Sequence, residues 1–576
     1  MARTIARLQE EVRTLERQLR TRMAELEAAE RHIARLEEKL LSLKEAKKQL
    51  KQLKAEKQAL RKSPERKVGQ VLLAPYLLPK KLLREVRKRR GEGQSQLSAA
   101  TAEYQAWFER HRATPEQLEQ MRAAARKFTY APLVSVITPV FDTPEEWLRE
   151  AVESVRAQAY ANWELLLIDD ASSAEGTLRT LAELEKLDPR IRVLRIEGRG
   201  GISAASNRGL AAAKGEWISL LDHDDVIEPD ALFHTVELLQ RHPNADLIYS
   251  DEDKLTEAGV DAPLFKPDWS PDFFLSCNYI SHLTTIRRSL VQEVGGFRSA
   301  YDFAQDYDLY LRVIARGARV HHIPRVLYHW RRTAGSTAEN IRRKPASLES
   351  ARAALADQLR QRGEEAHVSV EWNTHLFRIR RSIPEEKRVT IIIPTRDQTE
   401  LLQRCIASLE EKTAYSHWEI VIVDNDSQSA EARAYLRQTR HRVVPFAGPF
   451  NYSAMNNLAV RSSDSPWLLF LNNDIEVVDP EWLTAMVEHV QRPEVGAVGA
   501  RLLFPDGTVQ HAGVVLGVRG IADHAFRGLA GEEPGVGRQL QATRNCSAVT
   551  GACLLTRREV FDEVGGFDEE RLPVSF

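Results

Sequence analysis

With 576 residues, 43% of them apolar and 28% charged, and a formal net charge of −1, the chain is too long for one hydrophobic core and reads as a soluble globular protein of two to four domains. No apolar run approaches the roughly 18 residues of a membrane-spanning helix, and charge begins at Arg3, so neither a membrane span nor a signal peptide is expected. Four scattered cysteines, Cys277, Cys405, Cys546 and Cys553, suggest a reducing compartment and neither a disulfide framework nor a zinc site.

The charge is unevenly placed. Residues 1–92 carry 26 Lys+Arg against 13 Glu, a balance of +13, which leaves 55 against 69, or −14, for the remainder. A basic arm precedes an acidic body. The body offers no field for nucleic acid, whereas the arm suits an anionic membrane surface or an acidic partner.

From Ile5 to Leu50 apolar residues recur at heptad spacing, and only Arg22 and Lys47 interrupt fourteen successive seam positions. This predicts a coiled coil over 1–62 and, because a lone helix would leave the stripe wet, a homo-oligomer. Pro64 ends the helix. In Val71–Arg90, Leu72, Leu73, Tyr76, Leu77, Leu78, Leu82 and Leu83 alternate with Lys80, Lys81, Arg84 and Arg87–Arg90. Two readings stand side by side: a segment lying in an anionic membrane interface, and a linker helix packed on the body with a solvated basic face. Gly91–Ala100 reads as linker and Tyr104–Lys127 as a helix, which completes a 63–132 segment.

Beyond Leu133, β-rich apolar runs alternate with helical stretches, as in a mostly parallel sheet with covering helices. Strands are expected at Ser135, at Asn162 ending in Asp169 and Asp170, and at Arg192–Ile196, with a helix over Pro144–Ala159. A glycine-rich turn then opens a helix in Gly200–Gly215. The fourth strand, in ISLLDHDDVIEP, stops at Asp222, Asp224 and Asp225. Alone, this cluster is either an acidic surface turn or a set of strand-end carboxylates sharing Mg2+ or Mn2+.

An internal repeat bears on that choice. Pro394, Asp397, Tyr415, Trp418 and Asp424 each sit 255 residues after Pro139, Asp142, Tyr160, Trp163 and Asp169, while Asn457, Asn472 and Asp474 sit 250 after Asn207, Asp222 and Asp224. EVGGF occurs at Glu293–Phe297 and Glu563–Phe567. The chain therefore holds two copies of one domain, 133–340 and 388–576, with a helix and hairpin between them in 341–387. A surface turn has no reason to recur in register with such landmarks.

Both copies resemble family 2 glycosyltransferases, inverting enzymes of the GT-A fold. The resemblance covers Leu133–Arg332 and Arg388–Phe576, and FKPDWSPD (Phe265–Asp272), AQDYDLYLR (Ala304–Arg312), LYHWR (Leu327–Arg331) and FNYSAMNNLAV (Phe450–Val460) look like the tandem transferases of bacterial O-antigen and other surface polysaccharide. The expected fold is α/β, two GT-A domains after a coiled coil, the second truncated.

The resemblance implies residue roles. Pro139 and Val140 with Asp169 and Asp170 would hold the base and ribose of a nucleotide-sugar donor, with Asn207 and Arg208 near the diphosphate. Asp222 and Asp224 would be the metal pair, Asp224 the more direct ligand, and Asp225 a neighbour or sugar contact. Asp306 would be the catalytic base in a Gln305-Asp306 pair where relatives carry Glu-Asp, with Asp308 its competitor. His329, Trp330 and Arg331 would lie on the acceptor and diphosphate side. In the second copy Asp424 and Asn457 take donor positions and Asp474 the metal position. Nine residues after Phe297 comes Asp306, whereas nine after Phe567 comes Phe576, so the second copy is expected to be inactive as given.

The expected activity is metal-dependent, inverting transfer from a UDP- or dTDP-linked sugar to a glycan or lipid-linked glycan. It is expected in the cytoplasm, with peripheral contact on the inner membrane face left open. The alternative is a catalytically silent coiled-coil scaffold that binds nucleotide sugar or partner enzymes.

Overall fold

The computed structural model describes residues 99–332, 345–518 and 521–574. The coiled coil expected over 1–62 and the basic segment 71–90 lie outside the described residues. Leu97–Phe576 form one compact unit.

In the first copy, β1 (Val134–Val140), β2 (Trp163–Asp169), β3 (Ile191–Arg195) and β4 (Trp217–Leu220) run parallel in the order β3-β2-β1-β4. The sheet continues through β8 (Thr284–Arg287), β6 (Leu247–Thr256), β9 (Val320–Arg331) and the short β5 (Val226–Ile227), with β7 (Gly259–Leu264) on the side of β6. Pairing turns antiparallel where β8 enters between β4 and β6. Alternating β1 residues serve two cores. Val134, Val136 and Val140 pack with Leu165 and Leu167 on one face, and Ile137 packs with Leu166, Ile168 and Ile218 on the other. Burial on both faces explains why these strands read as unbroken apolar runs.

The second copy repeats this arrangement. In it β14 (Arg442–Pro445), β13 (Trp418–Asp424), β12 (Val389–Thr395), β15 (Trp467–Leu471), β21 (Cys553–Arg557) and β16 (Ala497–Gly499) follow in that order. The registers coincide. Val134 faces Trp163 and Trp217, and Val389 faces Trp418 and Trp467. Trp217 faces Arg287, and Trp467 faces Arg557. Even the turns match. Asp142 (φ 44°) and Asp397 (φ 53°) both adopt the left-handed conformation that aspartate tolerates, and each carboxylate accepts two backbone N–H groups of the loop after the second strand. Between β16 and β21 the second copy inserts two small hairpins, β17 (Leu502–Leu503) with β18 (Val509–His511), and β19 (Val514–Leu516) with β20 (Ala522–His524).

Two segments depart from expectation. The helix expected over Tyr104–Lys127 is two helices, Ala99–His111 and Pro115–Ala125. Pro115 cannot continue the first, and Thr114 and Gln117 form a reciprocal capping box that starts the second. The first helix packs on the body, with Tyr104 donating to Asp253 and Phe108 edge-on to His329. The segment 345–387 holds the helix and hairpin expected of it, and departs only in being more than a connection. Its helix Pro345–Gln361 and the hairpin β10 (Ala366–Glu371) and β11 (Leu376–Arg381) place Leu348, Leu355, Leu359, Val368, Phe377 and Ile379 in the first copy's core. Among the described residues no helix is long and apolar enough to cross a membrane, and all four cysteines are free.

Candidate active site

β4 ends at Leu220, and the acidic turn that follows is gripped by the end of β9. β5 pairs antiparallel with β9, setting Val226 against His329 and Ile227 against Tyr328. Asp225 is fully buried. Its carboxylate accepts from the Tyr328 hydroxyl at 2.5 Å and from the Arg331 backbone N–H at 2.7 Å. Arg331 also donates through Nε to the Asp224 carbonyl at 2.6 Å and pairs with Glu150. Asp225 is therefore a pin that shapes the turn, and it leaves Asp222 and Asp224 as the two carboxylates facing outward. The Asp222 side chain is 46% exposed and that of Asp224 23%. Burial, together with neighbouring Asp222, raises the Asp224 carboxyl above its ordinary range.

That excess of negative charge fits a hard divalent cation. Among the described residues no third His, Cys, Asp or Glu completes a ligand set. Two carboxylates with the remaining positions open is how Mg2+ or Mn2+ is held when diphosphate oxygens finish the shell.

His282 approaches the same turn from the segment before β8. Its Nε2 lies 3.7 Å from Asp222 and its Nδ1 3.6 Å from buried Glu252. The ring stacks on Tyr328 at 4.6 Å and stands edge-on to Trp330 at 5.3 Å. Lys266, also buried, bridges Glu252 to the Ile280 and His282 carbonyls and so fixes this segment. No spacing in the sequence signals His282. It reaches Asp222, 60 positions away, only because β8 pairs with β4.

Asp306 opens the helix Gln305–Ala315. Asn278 donates to its Oδ2 at 2.8 Å. Burial raises its carboxyl above the ordinary range, while His282 works the other way and Asp222 adds to the rise. The shared influence of His282 and Asp222 places Asp306 within electrostatic reach of the acidic turn. Asp308, two residues on, has a different fate. It is buried, with Arg312 Nη2 at 2.6 Å and Arg298 Nε at 3.1 Å, so its carboxylate is committed to two guanidinium groups.

Several expected site residues are occupied by the fold. Both oxygens of Asp170 accept backbone N–H groups of the glycine turn, Gly200 at 2.7 Å and Gly201 at 2.9 Å. Asn207 clamps the second landmark, donating to the Phe297 carbonyl and accepting from its N–H, both at 2.8 Å, and Asn457 does the same to Phe567. These amides explain why EVGGF recurs. Arg208, beside Asn207, is exposed. Asp169 accepts from Ser172 N–H at 2.9 Å, with Arg195 at 3.5 Å on its other oxygen, next to the Pro139–Val140 end of β1. In the second copy Asp424 accepts from Ser427 N–H at 3.0 Å, and Asp474 is exposed after Asn472. Gln305 keeps a buried amide oxygen without a hydrogen bond.

His329, expected on the acceptor side, faces away from the acidic turn. Strand alternation turns Tyr328 and Trp330 toward the acidic turn and His329 the other way. There its Nδ1 meets Asp253 at 2.6 Å and its Nε2 meets Glu228 at 3.1 Å, with Arg112 closing the network on Glu228. Although burial opposes its charge, these carboxylates raise its pKa to about 9. Its folded pKa thus exceeds the unfolded value near 6.5, so the linked stability, roughly 3 kcal/mol, is complete below pH ~6.5 and lost as pH rises through ~9. Melting temperature should fall between pH 6.5 and 9.5 in the parent. The fall should be smaller in His329→Gln.

A half-parallel sheet that delivers carboxylates from strand ends to an acidic turn, with a second carboxylate opening a helix nearby, is the architecture of GT-A-type transferases. The Glycosyl transferase family 2 model matches residues 135–295 and 390–565, more than half of the chain, and the chain belongs to that family. It is 43% identical over 479 residues to the uncharacterized protein y4gI of Sinorhizobium fredii (82% of this chain, 52% of that one). It is 40% identical over 473 residues to the O-antigen biosynthesis protein RfbC of Myxococcus xanthus (81% and 37%). A shorter match, 36% over 110 residues (19% and 43%), is to the putative teichuronic acid biosynthesis glycosyltransferase TuaG of Bacillus subtilis. The chain thus spans about half or less of the length of these relatives.

Proposed function

We propose that the first copy is an inverting glycosyltransferase that moves a sugar from a UDP- or dTDP-linked donor to a growing bacterial surface glycan, such as O-antigen or capsule, free or lipid-linked. The observation that carries this reading is Asp306, a carboxylate with a raised pKa, oriented by Asn278 and within electrostatic reach of Asp222 and His282. The names of RfbC and TuaG support the substrate class.

Pro139, Val140 and Asp169 would receive the base and ribose, since strand-end backbone groups and a carboxylate suit a pyrimidine N–H and sugar hydroxyls. Asp224 and Asp222 would hold Mn2+ or Mg2+, which when bound neutralises charge on the departing nucleoside diphosphate. The acceptor hydroxyl oxygen attacks the anomeric carbon, the bond from that carbon to the diphosphate oxygen breaks, and the hydroxyl proton passes to Asp306. Trp330 walls the site beside His282, and Arg331 holds the turn in shape. Asp424 and Asp474 leave the second copy as a candidate nucleotide site, and Asn472 in place of Asp222 is why the chemistry is assigned to the first.

The test is nucleoside diphosphate release over a panel of UDP-, dTDP- and GDP-sugars with Mn2+ or Mg2+. Asp224→Asn should lower kcat/KM by about 10²-fold and weaken the response to added metal. Parent-level release by this variant, with the same metal dependence, would remove Asp224 from the site. We further propose that the heptad-bearing arm makes a homo-oligomer and that Val71–Arg90 gives peripheral membrane contact. Deleting residues 1–62 should lower the mass seen by light scattering, and deleting 71–90 should reduce sedimentation with anionic liposomes.

A further inference from the structure

The stretch Phe265–Asp272 holds the site's Lys266 near one end, and at the other end, Ser270–Asp272, it meets the second copy. Asp272, in the first turn of the helix Pro271–Ser276, is buried against the second copy. Arg492 Nη1 lies 2.5 Å from its Oδ1. Asn545 accepts from the Asp272 backbone N–H at 2.9 Å, donates to its Oδ2 at 2.9 Å, and donates its own N–H to Ser270 Oγ at 3.0 Å. At the other end of the helix, Ser276 donates to the Thr543 carbonyl at 3.1 Å. Both ends of a six-residue helix are thus tied to residues of the second copy.

The other contacts of this helix lead to the base. The Tyr307 hydroxyl donates to the Phe274 carbonyl at 2.8 Å, and the two rings meet edge-on at 5.1 Å. Tyr307 follows Asp306 directly. Two residues beyond the helix stands Asn278, whose amide holds Asp306. We propose that the second copy is a positioning element for the first: Arg492 and Asn545 fix the helix Pro271–Ser276, which fixes Asn278 and, through it, the orientation of Asp306. This rests on the reading of Asp306 as base. It assigns the second copy a role in the first copy's turnover that does not require chemistry of its own. Displacing a catalytic group by about 1 Å can cost on the order of 10²-fold in rate, so a loosened helix has a measurable consequence.

The experiment compares Arg492→Ala, Asn545→Ala, Arg492→Lys and Asp306→Asn in the full chain. It measures kcat and donor KM by nucleoside diphosphate release, and hydrogen exchange across residues 273–279. Arg492→Ala and Asn545→Ala should each lower kcat about tenfold or more, with donor KM within about twofold, because donor contacts lie elsewhere. Exchange should quicken at the Phe274 and Cys277 amides, which close the helix onto Ser270 and Phe273. Arg492→Lys, which keeps the charge, should recover part of the loss. If Arg492→Ala fails to fold, Asn545→Ala and Arg492→Lys carry the same comparison. Folded variants with parent kcat and parent exchange, alongside an inactive Asp306→Asn, would overturn the coupling and leave the proposed function standing. Parent activity in Asp306→Asn would overturn both.

Discussion

Asp306→Asn should lower kcat for sugar transfer by about 10²–10⁴-fold while leaving donor KM nearly unchanged, because the amide fills the same space and cannot take the acceptor proton. The raised carboxyl pKa sets the sign of the pH dependence. A base works only when deprotonated, so kcat/KM in the parent should fall on the acid side, with its midpoint above the usual carboxylate range. Asn278→Ala removes a donor that favours the ionised form and should move that midpoint further up. Rates at several pH values for the parent and both variants check all three statements. An acid limb that persisted unchanged in Asp306→Asn would assign the titration to another group.

Asp308→Ala should produce the largest loss of stability, about 3–5 kcal/mol, although it lies only two residues away. Its carboxylate holds two guanidinium groups. One of them, on Arg312, is itself buried and also donates to the Val294 and Gly296 carbonyls at 2.7 Å, tying the EVGGF turn to the helix. Removing the acid strands a buried cation, which costs far more than losing a surface pair. Denaturant unfolding should show the loss, and activity per folded molecule should change far less than in Asp306→Asn. Equal stability with lost activity would exchange the roles of the two aspartates.

The contrast between these neighbours marks what could be read before the structure. The tandem arrangement was legible because equal spacing of landmarks encodes equal register, and the pairs Val134–Trp163 and Val389–Trp418 bear this out residue by residue. The acidic turn was legible because its partial copy at Asn472 and Asp474 recurs in register with the other landmarks, whereas alone it suited a surface turn equally. Polar side chains held by distant partners were not. His329 answers to Asp253 and Glu228, 76 and 101 positions away, and Asn207 to Phe297, 90 away. From sequence, such a residue near a family motif is indistinguishable from one that touches a ligand. His282 and Asn278 were missed for the converse reason, since only strand pairing and helix packing bring them to Asp222 and Asp306. The helix and hairpin of the segment 345–381 were legible, but what the segment packs against was not. Its partners are on the first copy's sheet and helices.

The proposed mechanism needs a base that receives the acceptor proton as a sugar is displaced with inversion. Its most direct test is proton NMR of the sugar first released or transferred from an α-linked nucleotide-sugar donor that the parent turns over, read before mutarotation. A β-configured initial product is predicted, and an α-configured one would contradict the mechanism assigned to Asp306.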